Sequence, residues 1–223
     1  MPNPEKIRRQ MEMLTGDLVE LSLCDRQNFP SMRNVGKGYC EVGIGTKESL
    51  SCALKNISYR DIYTELDRLH LYNMRMLDGA LIHMMYRFEK KQLEAHRLAF
   101  FPSPFLEEFQ NNPEIYLEDE IYAEVIMKNI VPFPLRFDFD CRKEVAVEIE
   151  HPKSHLTLGQ YQNCRIPVNA PLTPHHFISF LLQNFYNTAY QRYSNRLSMC
   201  TNGFEQSITE REKKLLHIHL PNN

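Results

Sequence analysis

A chain of 223 residues, 43% hydrophobic and 24% charged, can bury a full core and has the composition of a soluble globular protein. Its net charge of −2 and pI near 6.5 exclude a surface that binds nucleic acid by bulk electrostatics, so any such contact must be local or shared with a more basic partner. No run reaches the length of a membrane span and residues 1–20 lack a signal-peptide core, which points to a cytoplasmic address without a membrane partner.

Cys24, Cys40, Cys52, Cys141, Cys164 and Cys200 are scattered without a CxxC pair, and read as reduced thiols rather than disulfides or a structural zinc site. Residues 4–26 place Ile7, Met11, Leu14, Leu18 and Leu21 at helical spacing and predict an amphipathic helix. Asn28–Lys47 contains glycines and reads as irregular, and Tyr59–His70 as a second helix. Three strand-like runs follow, Tyr72–Leu77, Ala80–Phe88 and Gln92–Phe101, separated by the turns Asp78-Gly79 and Glu89-Lys90-Lys91. Glu118–Asn129 reads as a helix, and Leu135–Asp140, Val145–Ile149, His155–Gln160 and Asn163–Val168 as further strands. Thr173-Pro174 is a helix start, with Thr173 as N-cap, and Ile208–Leu216 reads as a last short helix.

The resulting expectation is a single α+β domain over 1–223 with a mostly antiparallel sheet flanked by N- and C-terminal helices. Within it, 1–58 is a helical and irregular extension, 59–171 holds the sheet, and 172–223 holds the C-terminal helices.

The chemistry gathers between Pro132 and Pro167. Arg136, Asp138 and Asp140 alternate with Leu135, Phe137 and Phe139, so a strand presents the charges on one face and the apolar groups on the other. Asp138 and Asp140 could hold Mg²⁺ for phosphodiester cleavage, or simply pair with arginine on a solvated face. In Glu150-His151-Pro152-Lys153-Ser154-His155 the proline rules out the helical placement that would make both histidines zinc ligands.

Two histidines and a lysine are instead the minimal set for metal-free RNA cleavage: one imidazole as base, the other as acid, the cation stabilising the transition-state charge. The plain alternative is a turn-capping His151 and a half-buried His155. Arg97 and Arg165, on other strands, could add bidentate phosphate contacts beside Arg136. His83, His96, His175 and His176 read as structural, and Tyr186, Tyr190 and Tyr193 as packing or partner surface. Nucleotide-binding glycine loops, GxSxG and HExxH are all absent.

At RFDFD, HPKSHLTLG, NCRIPV, the FxxFLLxNFYNTAY helix, DGALIHMMYRF and LEAHRLAFFPSP, from about Tyr59 to Tyr193, the chain resembles a bacterial family known only as a domain of unknown function. Members of that family occur beside a helicase in anti-phage defence loci. A fainter likeness, carried by Asp78-Gly79, Arg136/Asp138 and His151-Pro152/His155 in that order, is to RNA-targeting toxins of toxin–antitoxin pairs, although this chain is longer at both ends.

The resemblance implies a defence component, partnered by the helicase, with nuclease activity on RNA or DNA. His151, His155, Lys153 and Asp138 would be its catalytic residues and Arg136, Arg165 and Arg97 its substrate clamps. No cofactor is expected on the histidine route, and Mg²⁺ at Asp138/Asp140 on the variant. The rival expectation is a non-enzymatic accessory or sensor subunit docking on the helicase. In either case residues 4–26 and 173–196 are expected to form the interface, with a homodimer as the secondary option.

Overall fold

The computed structural model describes residues 2–44, 57–107, 111, 131–161, 163–199 and 202–221. Its first helix, α1 (Pro4–Glu20), begins as a capped helix should: the Asn3 side chain accepts the Lys6 N–H at 3.0 Å and Pro4 occupies the first position. It buries Ile7, Met11, Leu14 and Leu18 along one stripe. It ends before residue 26, where the sequence pattern had carried it, because Ser22 turns left-handed (φ 55°) and the next residues enter a strand.

The strands are β1 (Cys24–Gln27), β2 (Ser31–Gly36), β3 (Tyr39–Gly43), β4 (Met74–Met76), β5 (Leu81–Glu89), β6 (Gln92–Phe101), β7 (Leu135–Asp140), β8 (Ser154–Leu158) and β9 (Ile166–Pro167). They form one nine-stranded sheet in the order β1-β4-β5-β6-β7-β8-β9, with β3 pairing the other half of β5 and β2 pairing β3. Every pairing between these strands is antiparallel. The expected α+β architecture is therefore the observed one.

The sheet is not confined to residues 59–171. The described part of the segment read as irregular, residues 28–44, holds a β2–β3 hairpin turning through Gly36, Lys37 and Gly38, all at positive φ. The β5–β6 hairpin turns through Lys90 and Lys91, also both at positive φ, the backbone of a tight two-residue turn without its usual Asn-Gly.

One face of the sheet, bearing Val42, Met84, Tyr86, Leu98, Phe100, Phe137 and Leu156, packs on α1 and on α3 (Pro174–Phe185). Thr173 caps α3 as expected, accepting the His176 N–H at 3.2 Å. The helix breaks at Tyr186 (φ −139°, ψ 54°) before α4 (Asn187–Tyr193). Tyr186 is buried there and its hydroxyl donates to Asp78 of the Asp-Gly turn, at 2.8 Å to Oδ2.

The opposite face is covered at its Leu81/Ala99/Phe101 end by α2 (Tyr59–Arg68) through Ile62, Tyr63 and Leu66. This wide sheet absorbs the apolar stripes of the terminal helices. Of the large apolar side chains in α1 only Met13 and Val19 are exposed, and none is in 173–196. The apolar surplus that made those segments an expected interface is thus reduced to Met13 and Val19.

Two further expectations change. Val145–Ile149 is a turn rather than a strand, closed by backbone bonds between Val147 and His151. Residues 208–216 contain only a 3₁₀ turn at Glu212–Lys214, after which Ile218 pairs in parallel with Val168 beside β9. The helix expected at Glu118–Asn129 lies outside the described residues.

Candidate active site

Strand register puts Arg97 of β6, Asp138 of β7 and His155 of β8 side by side. The alternation of β7 buries Leu135, Phe137 and Phe139 and leaves Arg136, Asp138 and Asp140 half-buried on the face opposite α1 and α3. Asp138 is shared by two guanidinium groups, with Arg97 Nε at 3.0 Å and Arg136 Nε at 2.8 Å. Burial works to raise the Asp138 pKa, but the two arginines outweigh it and hold the carboxyl below its usual range. Two cations on one anion leave this cluster with one net positive charge. Arg165 lies near enough for its charge to act on both Arg136 and His155.

The rings of His151 and His155 lie 5.0 Å apart, inclined at 57°. His155 Nδ1 is 2.8 Å from the Pro152 carbonyl, and His151 Nδ1 is 2.7 Å from the Val145 carbonyl. A carbonyl only accepts, so each Nδ1 carries the hydrogen and each neutral ring keeps its lone pair on Nε2. Burial pushes the His155 pKa down, with the adjacent Asp138 acting against it. His155 is 4% exposed and His151 half-buried.

The carboxylates expected to form a metal variant are otherwise engaged. Asp140 binds Arg142 through both oxygens, Nη2 at 2.6 Å from Oδ2 and Nε at 2.9 Å from Oδ1. Among the described residues no group of three or more His, Cys, Asp or Glu could hold a metal ion.

Lys153 is exposed, and among the described residues its ammonium makes no ion pair. Its carbonyl accepts the Asp140 N–H at 2.9 Å. Thus Arg97, Arg136, Asp138, His155 and His151 come together, Arg165 stands close by, and Lys153 is joined to them through backbone alone.

Two other histidines are deeply buried. His96 is buried on the helix face, its Nε2 accepting the Leu172 N–H at 3.1 Å, and burial pushes its pKa down to about 3. His83 is buried on the charged face and pushed down to about 4 by the same cause. Reading the sequence missed Arg142, which occupies Asp140, and Glu212, whose carboxylate reaches the backbone of the His151 loop. Thr209-x-x-Glu212 is a capping-box pattern, the one local signal that could have flagged the latter.

No helix among the described residues is long and apolar enough to cross a membrane. Comparison with protein families matches residues 23–220 to DUF2290, described as an uncharacterized conserved protein, and the chain belongs to that family. No curated protein and no solved structure matches it.

Proposed function

We propose that this DUF2290 protein is a nuclease effector acting on RNA or DNA within a helicase-associated anti-phage system, and that on RNA, whose 2′-hydroxyl supplies the nucleophile, it cleaves by metal-independent histidine chemistry. The observation that carries the chemistry is the His151–His155 pair at 5.0 Å, with both Nδ1 atoms anchored on carbonyls, beside a cluster with one surplus guanidinium charge.

On RNA, His155, held neutral by burial, would be the base that takes the 2′-hydroxyl proton through Nε2 as that oxygen bonds to phosphorus. His151, entering as the imidazolium with Nε2 also protonated, would be the acid that protonates the departing 5′-oxygen. Arg97, Arg136 and Arg165 would receive the phosphate, with Asp138 fixing the first two in place. The histidine route is favoured over the Mg²⁺ variant because Asp138 and Asp140 already spend their oxygens on three arginines. The helicase association rests on the sequence resemblance alone.

A second reading, the accessory or sensor subunit, draws support from the deep burial of His155 and from the mutual pairing of the face's charges, including Arg87 with Glu94 at 3.0 Å. One experiment separates the two. The purified protein, alone and with the helicase, is assayed on RNA and on single- and double-stranded DNA, with and without EDTA. Cleavage that survives EDTA and is lost in folded His151→Ala and His155→Ala supports the effector. Defence retained in both folded variants removes it.

A further inference from the structure

The loop carrying His151 is held from a segment about sixty residues further along the chain. Ile149 sits at φ 73°, a left-handed conformation that a β-branched residue adopts only under constraint. Its N–H donates to Glu212 Oε1 at 3.3 Å. The other oxygen of that carboxylate accepts the Thr209 N–H at 2.9 Å, and Thr209 Oγ1 accepts the Glu212 N–H at 3.2 Å, a reciprocal capping box. Glu212 is 2% exposed, so its carboxylate depends on these N–H donors. Beside it, Arg211 pairs with Glu148 at 3.0 Å. The left-handed residue lets the chain fold back between Val147 and His151, whose backbones exchange hydrogen bonds of 3.0 and 2.7 Å.

We propose that Glu212, braced by Thr209, is a positioning residue for His151: its buried carboxylate holds Ile149 in the left-handed turn and so presents the His151 ring to His155. The role in catalysis rests on the acid–base reading of His151, whereas the clamp itself does not. It makes the 209–212 segment part of the candidate site.

The test uses the full chain as Glu212→Ala, Ile149→Gly and the double variant. Glycine adopts a positive φ without penalty, so it removes the need for the clamp. The readouts are the His151–His155 ring NOE and the amide exchange rate at position 149, with cleavage of labelled RNA and DNA measured separately. Glu212→Ala is expected to lose the NOE and to speed exchange at least about tenfold, and the double variant to regain the NOE. If the wild type cleaves, its rate falls about a hundredfold in Glu212→Ala and recovers in the double variant.

A NOE that persists in Glu212→Ala, or that the glycine fails to restore, overturns the proposal. Should Glu212→Ala not fold, Glu212→Leu replaces it under the same criteria, since it keeps most of the volume and has no acceptor. A wild type that cleaves nothing removes the nuclease reading, while the NMR result still decides the clamp.

Discussion

The two faces of the sheet, built from the same strands, do opposite work. On the helix side Phe137 lies edge-on to Phe177 and Phe180, with ring centroids at 6.1 and 5.1 Å, inside a continuous apolar core. One residue away, Asp138 faces the other side and pairs with Arg97 and Arg136. Stability should therefore be concentrated on the first face and chemistry on the second. Substitutions at adjacent positions of β7 should fail in different ways.

The largest expected effect is on the apolar face. Phe137→Ala should cost about 3–5 kcal/mol in denaturant unfolding, the cost of emptying a buried aromatic site. A loss below about 1 kcal/mol would mean the core is not organised around this ring. Next, Asp138→Ala should cost about 2–4 kcal/mol, because it leaves two half-buried guanidinium groups without their shared anion. Combining it with Arg136→Met should recover part of that loss. Strict additivity would show that the cluster is not coupled.

Protons give a third test, of intermediate size. His83 and His96 are pushed down to about 4 and about 3, so below the ordinary histidine value of about 6.5 the unfolded chain binds protons that the folded one refuses. Their contribution to stability is present above that value and is lost as pH falls from it. Asp78 acts in the opposite sense. Burial raises it to about 6, so between its ordinary value near 4 and pH 6 the folded chain binds the extra proton, and stability falls as pH rises. Between pH 4 and 6 the two histidines outweigh Asp78, so from these three groups stability rises with pH. Asp78→Asn should steepen that rise. An unchanged slope in urea melts across that range would show that Asp78 titrates normally.

The smallest effect on stability is expected at the candidate site itself. His151→Ala should alter it by less than about 1 kcal/mol while lowering any cleavage rate about 10²–10⁴-fold. The reverse pattern would return His151 to a structural role.

What could be read in advance was whatever the local pattern determines. The alternation of RFDFD fixed which side chains of β7 turn inward, and Thr173-Pro174 marked the start of α3. Failures came where distant contacts or solvent exposure overrode the pattern. Val145, Val147 and Ile149 alternate like a strand, yet Glu212 holds Ile149 in a turn and Val147 stays 49% exposed. The β2 strand carried no readable alternation because all six of its residues are exposed. Helix α1 ran too long on paper because Ser22, not glycine, takes the left-handed position after it. At the site, the grouping of Arg136, Asp138 and the two histidines was legible from their closeness in sequence. The depth of His155 depends on packing and had no local signal, whereas Arg142 reaches Asp140 from two residues along the chain, a local contact that strand alternation does not indicate.

The packing of α1 against α3 has a consequence for how the molecule is made. Ile7, Met11, Leu14 and Leu18 leave the ribosome well before α3 and the Ser198 N–H that donates to Asp17 at 2.7 Å. At about 5–20 residues per second, this apolar stripe waits on the order of ten seconds for that helix. Nascent chains should therefore draw on chaperones that shelter exposed helices, and synthesis halted before residue 174 should yield an aggregating fragment rather than a smaller folded protein.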